Sequence, residues 1–314
     1  MTPPPPDRRQ QGSSPPGAGP ISTGVGELQN DPDRDVGSAG VRVGIVGHVE
    51  LVEFAVVDAV PAPGEIVRAA EHFVEAGGGG GVAAVQLRRM AGAAVLLTAL
   101  GDDATGERVG RELRRHGVEV HAARRAGPHP RAFTHLDAAG ERTITVLGAP
   151  AAPSGDDPLP WDRCAELDGL YVTAADAGAL RAARAARVLV ATPRTGPALA
   201  TARVQLDVLV ASTSDAGEAA AVASADPPPR VVVLTDGDRG GTWTAADGSS
   251  GSWAPAPLPG PPVDAFGCGD TFAAALTLAL AQGRRLEEAL AFAARAGARC
   301  LTGRGPYGAA LDPA

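Results

Sequence analysis

Residues 264–272 place a carboxylate and two glycines at the start of an apolar segment. The stretch reads D-A-F-G-C-G-D-T-F and runs directly into A-A-A-L-T-L-A-L. A glycine turn that enters a helix exposes backbone N–H groups, and Gly267 and Gly269 would let an anion such as phosphate approach them closely. The carboxylate of Asp270 would repel that phosphate, so its presence at this place needs a chemical reason. Taking the proton of an attacking hydroxyl, as a general base, is such a reason.

The composition of the 314-residue chain excludes several classes of function. A net charge of −8 argues against a nucleic-acid partner, which demands basic surfaces. The sequence contains no lysine, which excludes a Walker-type phosphate loop and Schiff-base chemistry. Its three widely spaced cysteines lack metal-ligand spacing and favour a reduced, cytoplasmic location. No stretch approaches about 18 apolar residues, so we expect no association with a membrane.

The order of the predicted elements indicates one α/β domain over residues 41–314, preceded by a tail. Residues 1–40 are rich in Pro, Gly and Ser, and we predict that they are disordered. Short apolar runs predict strands at residues 41–46, 93–100, 170–173, 188–191, 208–211 and 231–235. Alanine-rich helical segments alternate with these strands, which favours a mainly parallel sheet covered by helices on both faces.

Four further segments form strand pairs outside this alternation. Residues 51–60 and 66–73 alternate around the turn P-A-P-G, and residues 132–136 and 143–147 alternate around D-A-A-G-E. We interpret these pairs as a small lid. The glycine run at 77–81 is predicted to precede a helix, and a further helix is predicted at 107–116. Two packed helices are predicted at 272–282 and 286–302.

The segment D-A-F-G-C-G-D-T-F resembles the C-terminal signature of the ribokinase-like (PfkB) carbohydrate kinases, usually Asp-Thr-x-Gly-Ala-Gly-Asp. Other matching segments follow in order: G-H-V-E at 47–50, P-A-P-G-E at 61–65, the glycine run, A-L-G-D-D-A-T-G at 99–106, G-E-R-T-I at 140–144 and T-D-G-D-R-G at 235–240. The resemblance covers roughly residues 41–308. It implies a ribokinase-like three-layer α/β/α sandwich with a mainly parallel central sheet and a small β-strand lid.

The resemblance also implies a reaction and its residues. An ATP-dependent kinase would transfer the γ-phosphate to a hydroxyl of a sugar, a sugar-like molecule or a nucleoside, with Mg²⁺ and in some members a monovalent cation. Asp270 matches the general base, and Gly267, Cys268 and Gly269 match the anion hole. The matches to the nucleotide site are Thr235, Gly237, Gly240 and Asp264, the last near the monovalent cation of some members. The matches to the substrate site are Glu50, Gly78, Gly79, Gly80 and Gly81.

Three positions depart from the family pattern. Val52 replaces one of the two Asn or Asp residues that usually face the sugar, and Gly81 stands where the glycine run usually ends in Asn. The segment Ser212-Thr213-Ser214-Asp215 replaces Asn-x-x-Glu, so that Asp215 would act on Mg²⁺ through water. These departures leave the acceptor open. They also support an alternative, a catalytically silent sensor of the same fold that binds a sugar or nucleotide.

Simpler interpretations stand beside several of these assignments. Asp270 alone is compatible with an acid that stabilises a helix start, Glu50 with a surface charge, and Asp215 with a helix cap. Glu218 is interpreted as an ordinary helix residue and His48 as a packing residue. The glycine run alone would also fit a dinucleotide-binding loop, although no suitably placed acid follows it.

Two further residues carry separate expectations. Arg142 is interpreted as part of the lid hairpin, with closure over the site as the alternative. Cys268 lies at a predicted helix N-terminus, where a thiol tends to have a lowered pKa and to be reactive. Modification of Cys268 would then block phosphate binding, unless it is simply a small residue in place of alanine. A homodimer formed through the lid is a further expectation from the family.

Overall fold

A nine-stranded sheet organises the computed structural model, which describes residues 40–311. The predicted tail, up to residue 39, lies outside the described residues. The strands are β1 (Val43–Val46), β2 (Glu50–Val56), β3 (Glu71–Gly77), β4 (Val95–Gly101), β5 (Glu119–Arg125), β6 (Arg131–Leu136), β7 (Arg142–Leu147), β8 (Gly169–Val172), β9 (Val188–Ala191), β10 (Val208–Ser212), β11 (Val231–Thr235), β12 (Gly241–Ala245) and β13 (Ser250–Trp253). The helices are α1 (Gly78–Ala91), α2 (Ala104–Arg115), α3 (Ala177–Ala183), α4 (Ala198–Thr201), α5 (Ala216–Val222), α6 (Cys268–Ala281) and α7 (Leu286–Leu301).

The large sheet has the order β13-β12-β11-β10-β9-β8-β1-β4-β5. All pairings from β11 to β5 are parallel, and β12 and β13 are antiparallel additions at one edge. Strands such as β8 and β9 are buried along their whole length, because helices cover both faces. One face packs mainly on α1, α6 and α7, and the other on α3 and α4. The prediction of a mainly parallel α/β sandwich is confirmed.

The four-stranded lid sheet has the order β3-β2-β6-β7. Strand β2 pairs antiparallel with β3 and parallel with β6, and β6 and β7 form the predicted hairpin. The prediction of a strand at 66–73 was wrong: β3 begins at Glu71, and Ile66 is 98% exposed. Residues 66–68 are all exposed, so the alternation of apolar residues there does not mark a buried strand face, and the connection between β2 and β3 is longer than predicted.

Three strands were missed because their sequences do not resemble buried strands. β5 is rich in charged residues, and β12 and β13 are rich in Gly, Ser and Thr. Each lies at or near a sheet edge, where an apolar run on both faces is not required. Within residues 40–311, no helix combines the length and the apolar character needed to cross a membrane.

Aromatic packing attaches the lid to the loop that precedes α6. Phe54 of β2 stacks on Phe73 of β3 with ring centroids 4.5 Å apart, and its edge meets Phe266 at 5.0 Å. Arg142 of β7 donates from Nη1 to the carbonyl oxygen of Ala265 at 2.9 Å. The lid is therefore docked directly on the loop that begins the functional helix.

We predict that Phe54→Ala destabilises the lid by about 3–5 kcal/mol. The substitution removes a fully buried ring and leaves a cavity between Phe73 and Phe266. Arg181→Ala, at an exposed position of α3, is the control and should change stability by no more than about 0.5 kcal/mol. Urea unfolding, with amide hydrogen exchange of β2 and β6 as the local readout, measures both. Equal effects of the two substitutions would contradict this packing.

Candidate active site

The turn at the start of α6 leaves backbone amides free. Gly267 is the N-cap residue with φ of 80°, a left-handed conformation that favours glycine. The N–H of Cys268 makes one long bond, 3.4 Å, to the carbonyl of Ala265. Within the described part of the chain, the N–H groups of Gly269 and Asp270 have no hydrogen-bond partner, and Gly269 is exposed. Such a helix start can accept an anion.

Asp270 faces the amino end of a second helix, α1. A Cβ placed on Gly79 would lie 3.0 Å from Oδ1 of Asp270 and 3.4 Å from Cε1 of His48. Glycine at position 79 therefore permits this close approach. The glycine run at 77–81 forms the end of β3 and the first turn of α1, so the expectation that the whole run precedes the helix was wrong.

The other glycines of the run have different neighbours. Gly78 and Gly80 pack against the backbone that follows β1, and the N–H of Gly80 donates to the carbonyl of His48 at 3.0 Å. Gly81 lies next to Val49 and Leu113 on the core side. Among these predicted substrate residues, Gly79 is the one that meets Asp270.

Burial controls the ionisation of the acids at this site. It raises the pKa of Asp270 above the usual aspartate range, and the nearby charges of Arg194 and Arg142 oppose that rise. Burial also raises the pKa of Glu50; Arg194 opposes the rise and Asp270 adds to it. Glu50 and Asp270 are thus close enough to influence one another, as the assignment of both to one site requires.

His48 is neutral in this environment. Burial and the charge of Arg194 lower its pKa to about 4. Its Nε2 accepts a hydrogen bond from the N–H of Gly79 at 3.4 Å, which places the proton on Nδ1. His48 therefore supports the first turn of α1 and carries no charge near neutral pH.

The predicted nucleotide loop follows β11. The carbonyl of Thr235 accepts bonds from N–H and Oγ1 of Thr213, which joins the ends of β10 and β11. Gly237 has open space where a side chain would stand. A Cβ on Gly240 would overlap the carbonyl oxygen of Trp253, so that glycine is required for the turn into β12. This loop lies at the carboxyl ends of the parallel strands, the same edge at which β1 and β8 end.

Asp264 is buried and supports the loop itself. Its Oδ1 accepts from the N–H of Phe266 and its Oδ2 from the N–H of Gly305, both at 2.8 Å. Burial raises the pKa of Asp264, and these two bonds oppose the rise. The carboxylate thus connects the α6 turn to the segment after α7.

Of two acids at the start of α5, Asp215 has the helix-cap role given as its simpler interpretation, whereas Glu218 differs from its interpretation. Asp215 caps α5, and its Oδ1 accepts from the N–H groups of Gly217 and Glu218. Glu218 was treated as an ordinary helix residue, yet it is buried and its Oε1 accepts from Nε of Arg194 at 2.6 Å. Neither Arg194 nor Glu218 has a local motif, since they meet only through the fold. The one sequence feature that could have indicated Glu218 was its position three residues after the Asp215 cap, in the first turn of the helix.

The donor set fits Mg²⁺ only as a partner of bound phosphates. Within residues 40–311, no three His, Cys, Asp or Glu side chains form a metal-binding group. Mg²⁺ usually keeps several waters and takes one or two protein carboxylates besides substrate phosphates. Oδ2 of Asp215 makes no hydrogen bond within the described residues, which leaves it available to metal-bound water.

Cys268 does not have the lowered pKa expected at a helix start. The neighbouring thiol of Cys300, together with burial, raises its pKa well above the usual range, and its Sγ donates to the carbonyl of Asp264 at 3.9 Å. The neighbouring Cys268 lowers the pKa of Cys300, which is fully buried and donates to the carbonyl of Phe266 at 3.7 Å. The direction of this shift is opposite to the one expected for an activated Cys268 thiol, because both the neighbouring thiol and burial raise the pKa.

Comparison with known proteins assigns the chain to a family. The model of the pfkB family of carbohydrate kinases matches residues 42–312, and the chain belongs to this family. None of the curated protein sequences matches it significantly.

Three solved structures show the same fold at low identity. A ribokinase from Cryptococcus neoformans var. grubii serotype A in complex with ADP is 22% identical, with a TM-score of 0.66 over 87% of this chain and 98% of that chain. The Arabidopsis thaliana ribokinase complexed with ribose and ATP is 19% identical, with a TM-score of 0.65 over 86% and 96%. The adenosine kinase from Sinorhizobium meliloti is 19% identical, with a TM-score of 0.68 over 85% and 96%.

We predict that iodoacetamide modifies Cys268 at least about 10-fold more slowly than an unfolded cysteine near neutral pH, because a raised pKa leaves little thiolate. Cys300→Ala removes the partner thiol and should accelerate the reaction. Cys164→Ala is the control and should leave the rate unchanged, since Cys164 is buried elsewhere. Peptide mass spectrometry over time measures the rates. Modification of Cys268 at the rate of the unfolded chain would refute the raised pKa.

Proposed function

We propose that the protein is an ATP-dependent kinase that transfers the γ-phosphate to a hydroxyl of a sugar, a sugar-like molecule or a nucleoside. One observation carries this proposal: the carboxylate of Asp270 stands between the free amides that begin α6 and the first turn of α1. Phosphate and an alcohol can meet at such a place. The family membership of the chain supports the same class of reaction.

In the proposed reaction, Asp270 takes the proton of the acceptor hydroxyl as the oxygen attacks the γ-phosphorus. Amides of the turn formed by Gly267, Cys268 and Gly269 bind the phosphoryl oxygens, over which negative charge is spread in the transition state. The raised pKa of Asp270 suits this role, because a base is more effective when its pKa approaches the working pH. The docked lid would exclude water from the transfer.

The nucleotide would lie along the carboxyl edge of the sheet, against Thr235, Gly237 and Gly240. When bound, Mg²⁺ would neutralise charge on the ATP phosphates, with Asp215 contacting its waters. Asp264 would shape the loop near a monovalent cation. We assign the acceptor to the side of the site formed by Glu50 and Gly79. Val52 is fully buried among lid side chains and offers no hydrogen bond to a hydroxyl there.

We further propose a homodimer formed through the lid and a cytoplasmic location. Every residue of β7 is exposed, including Ile144, Val146 and Leu147 at an open sheet edge. The free state of Cys164, Cys268 and Cys300 fits a reduced compartment. Light scattering should report a dimer that dissociates in Ile144→Lys, and a monomeric wild-type protein would refute the dimer.

We predict that Asp270→Asn lowers kcat by about 10²–10⁴-fold, because the variant keeps the shape of the side chain and loses the base. Binding of a non-hydrolysable ATP analogue should be retained. The matched control is Glu287→Gln, which alters an exposed acid in the first turn of α7 and should keep full turnover. A coupled assay over a panel of sugars and nucleosides measures kcat, and calorimetry measures binding.

The same experiment separates the kinase from the silent sensor. A kinase shows acceptor-dependent ATP turnover that is lost in Asp270→Asn. A sensor binds the sugar or nucleotide and shows no turnover in the wild-type protein. Undiminished turnover in Asp270→Asn would refute the proposed mechanism.

A further inference from the structure

Arg194 is held in a fixed position at the carboxyl edge of the large sheet. It lies in the short 3₁₀ segment Pro193–Thr195 that directly follows β9. Its Nε donates to Oε1 of Glu218 at 2.6 Å, and Oε2 of Glu218 accepts from the N–H of Ser212 at 3.0 Å. Glu218 is buried, whereas the side chain of Arg194 is 57% exposed. The carboxylate is thereby fixed at both oxygens and orients the guanidinium.

The two terminal nitrogens of Arg194 remain available. Only Nε forms a hydrogen bond within residues 40–311. A guanidinium bound at Nε alone still presents donors to a ligand, and their fork geometry matches phosphate oxygens. The ion pair with Glu218 therefore leaves both terminal nitrogens of Arg194 open to a ligand.

The guanidinium lies beside the proposed reaction centre. Its charge acts on His48, Glu50 and Asp270, in each case second to burial, and it opposes the rise in the pKa of the two acids. The sheet order agrees, because Arg194 follows β9 and His48 follows β1 at the same edge, with only β8 between these two parallel strands. Asp270 belongs to the same space, since a Cβ on Gly79 would lie 3.0 Å from its Oδ1 and 3.4 Å from Cε1 of His48. Groups from β1, β2 and α6 therefore surround the space that Arg194 faces.

The acids around this space favour a cation there. Asp270, Glu50 and Glu218 are acids, and His48 is neutral with a pKa of about 4. Arg142 also acts on Asp270, but its Nη1 is bound to the carbonyl of Ala265. The chain has no lysine, so arginine supplies its only permanently charged side chains of positive sign. A transferred phosphoryl group adds further negative charge in the same space.

We propose that Arg194 is a catalytic residue that binds the γ-phosphoryl group of the nucleotide through its terminal nitrogens, and that Glu218 is its positioning residue. This inference rests on the proposed kinase function. Because the guanidinium is already oriented by Glu218, little reorganisation is needed when phosphate arrives. Arg194 would bind a nucleotide with a γ-phosphate and make no contact with ADP.

Calorimetry with ADP and with the β,γ-imido analogue of ATP, both with Mg²⁺, tests this difference. In Arg194→Gln, affinity for the imido analogue should fall by about 10- to 100-fold, the usual effect of losing a charged hydrogen bond, while ADP affinity stays within about two-fold. Arg194→Lys keeps the charge and should show a smaller loss. Glu218→Gln should show a smaller loss of the same selectivity, since it weakens orientation alone.

The control is Arg163→Ala. Arg163 also lies in a 3₁₀ segment and pairs with an acid of another element, Glu119, so the substitution should affect neither ligand. Thermal unfolding confirms that each variant is folded, and Arg194→Lys decides the question if Arg194→Gln does not fold. Equal losses for both nucleotides, or none, in the folded Arg194 variant would overturn the proposal. A wild-type protein that binds neither nucleotide would instead refute the kinase function itself.

Discussion

The site depends on the meeting of two helix starts around one carboxylate. Helices α1 and α6 both begin where Gly79 and Asp270 come together, and a side chain on residue 79 would separate them. Unpaired amides and the dipole of α6 give this point a positive potential, which compensates for the buried acid and leaves donors for an anion. Substrate, phosphate and base can therefore occupy a small space without any lysine.

The surrounding structure keeps that meeting point in place. Asp264 ties the turn before α6 to the segment after α7 through two backbone N–H groups. On the other side, Phe54 and Arg142 bring the lid onto residues Phe266 and Ala265. The lid and the anion-binding turn are thus one connected unit, and movement of the lid would shift the backbone amides of the turn.

Much of this arrangement could be predicted from the sequence, where local chemistry was distinctive. The buried parallel strands had apolar runs, and the glycine turn before Asp270 indicated both an anion site and a base. Strand β5 and the edge pair β12 and β13 were not predicted, because polar edge strands have no such pattern. Glu218 and Arg194 were missed for a different reason: each looks ordinary in its own segment, and only the packing of α5 against the 3₁₀ segment Pro193–Thr195 joins them. The pKa of Cys268 likewise depended on Cys300, 32 residues away in the chain.

The central claim, that Asp270 acts as the base, is tested most directly by the dependence of kcat/KM on pH. The base must be ionised, so activity should fall as the pH drops through the raised pKa of Asp270, above the ordinary value of about 3.9. The residual activity of Asp270→Asn should lack that acidic limb. A limb caused by ionisation of the nucleotide would persist in the variant, so its loss assigns the limb to Asp270. An acidic limb that persists unchanged in Asp270→Asn would contradict the account.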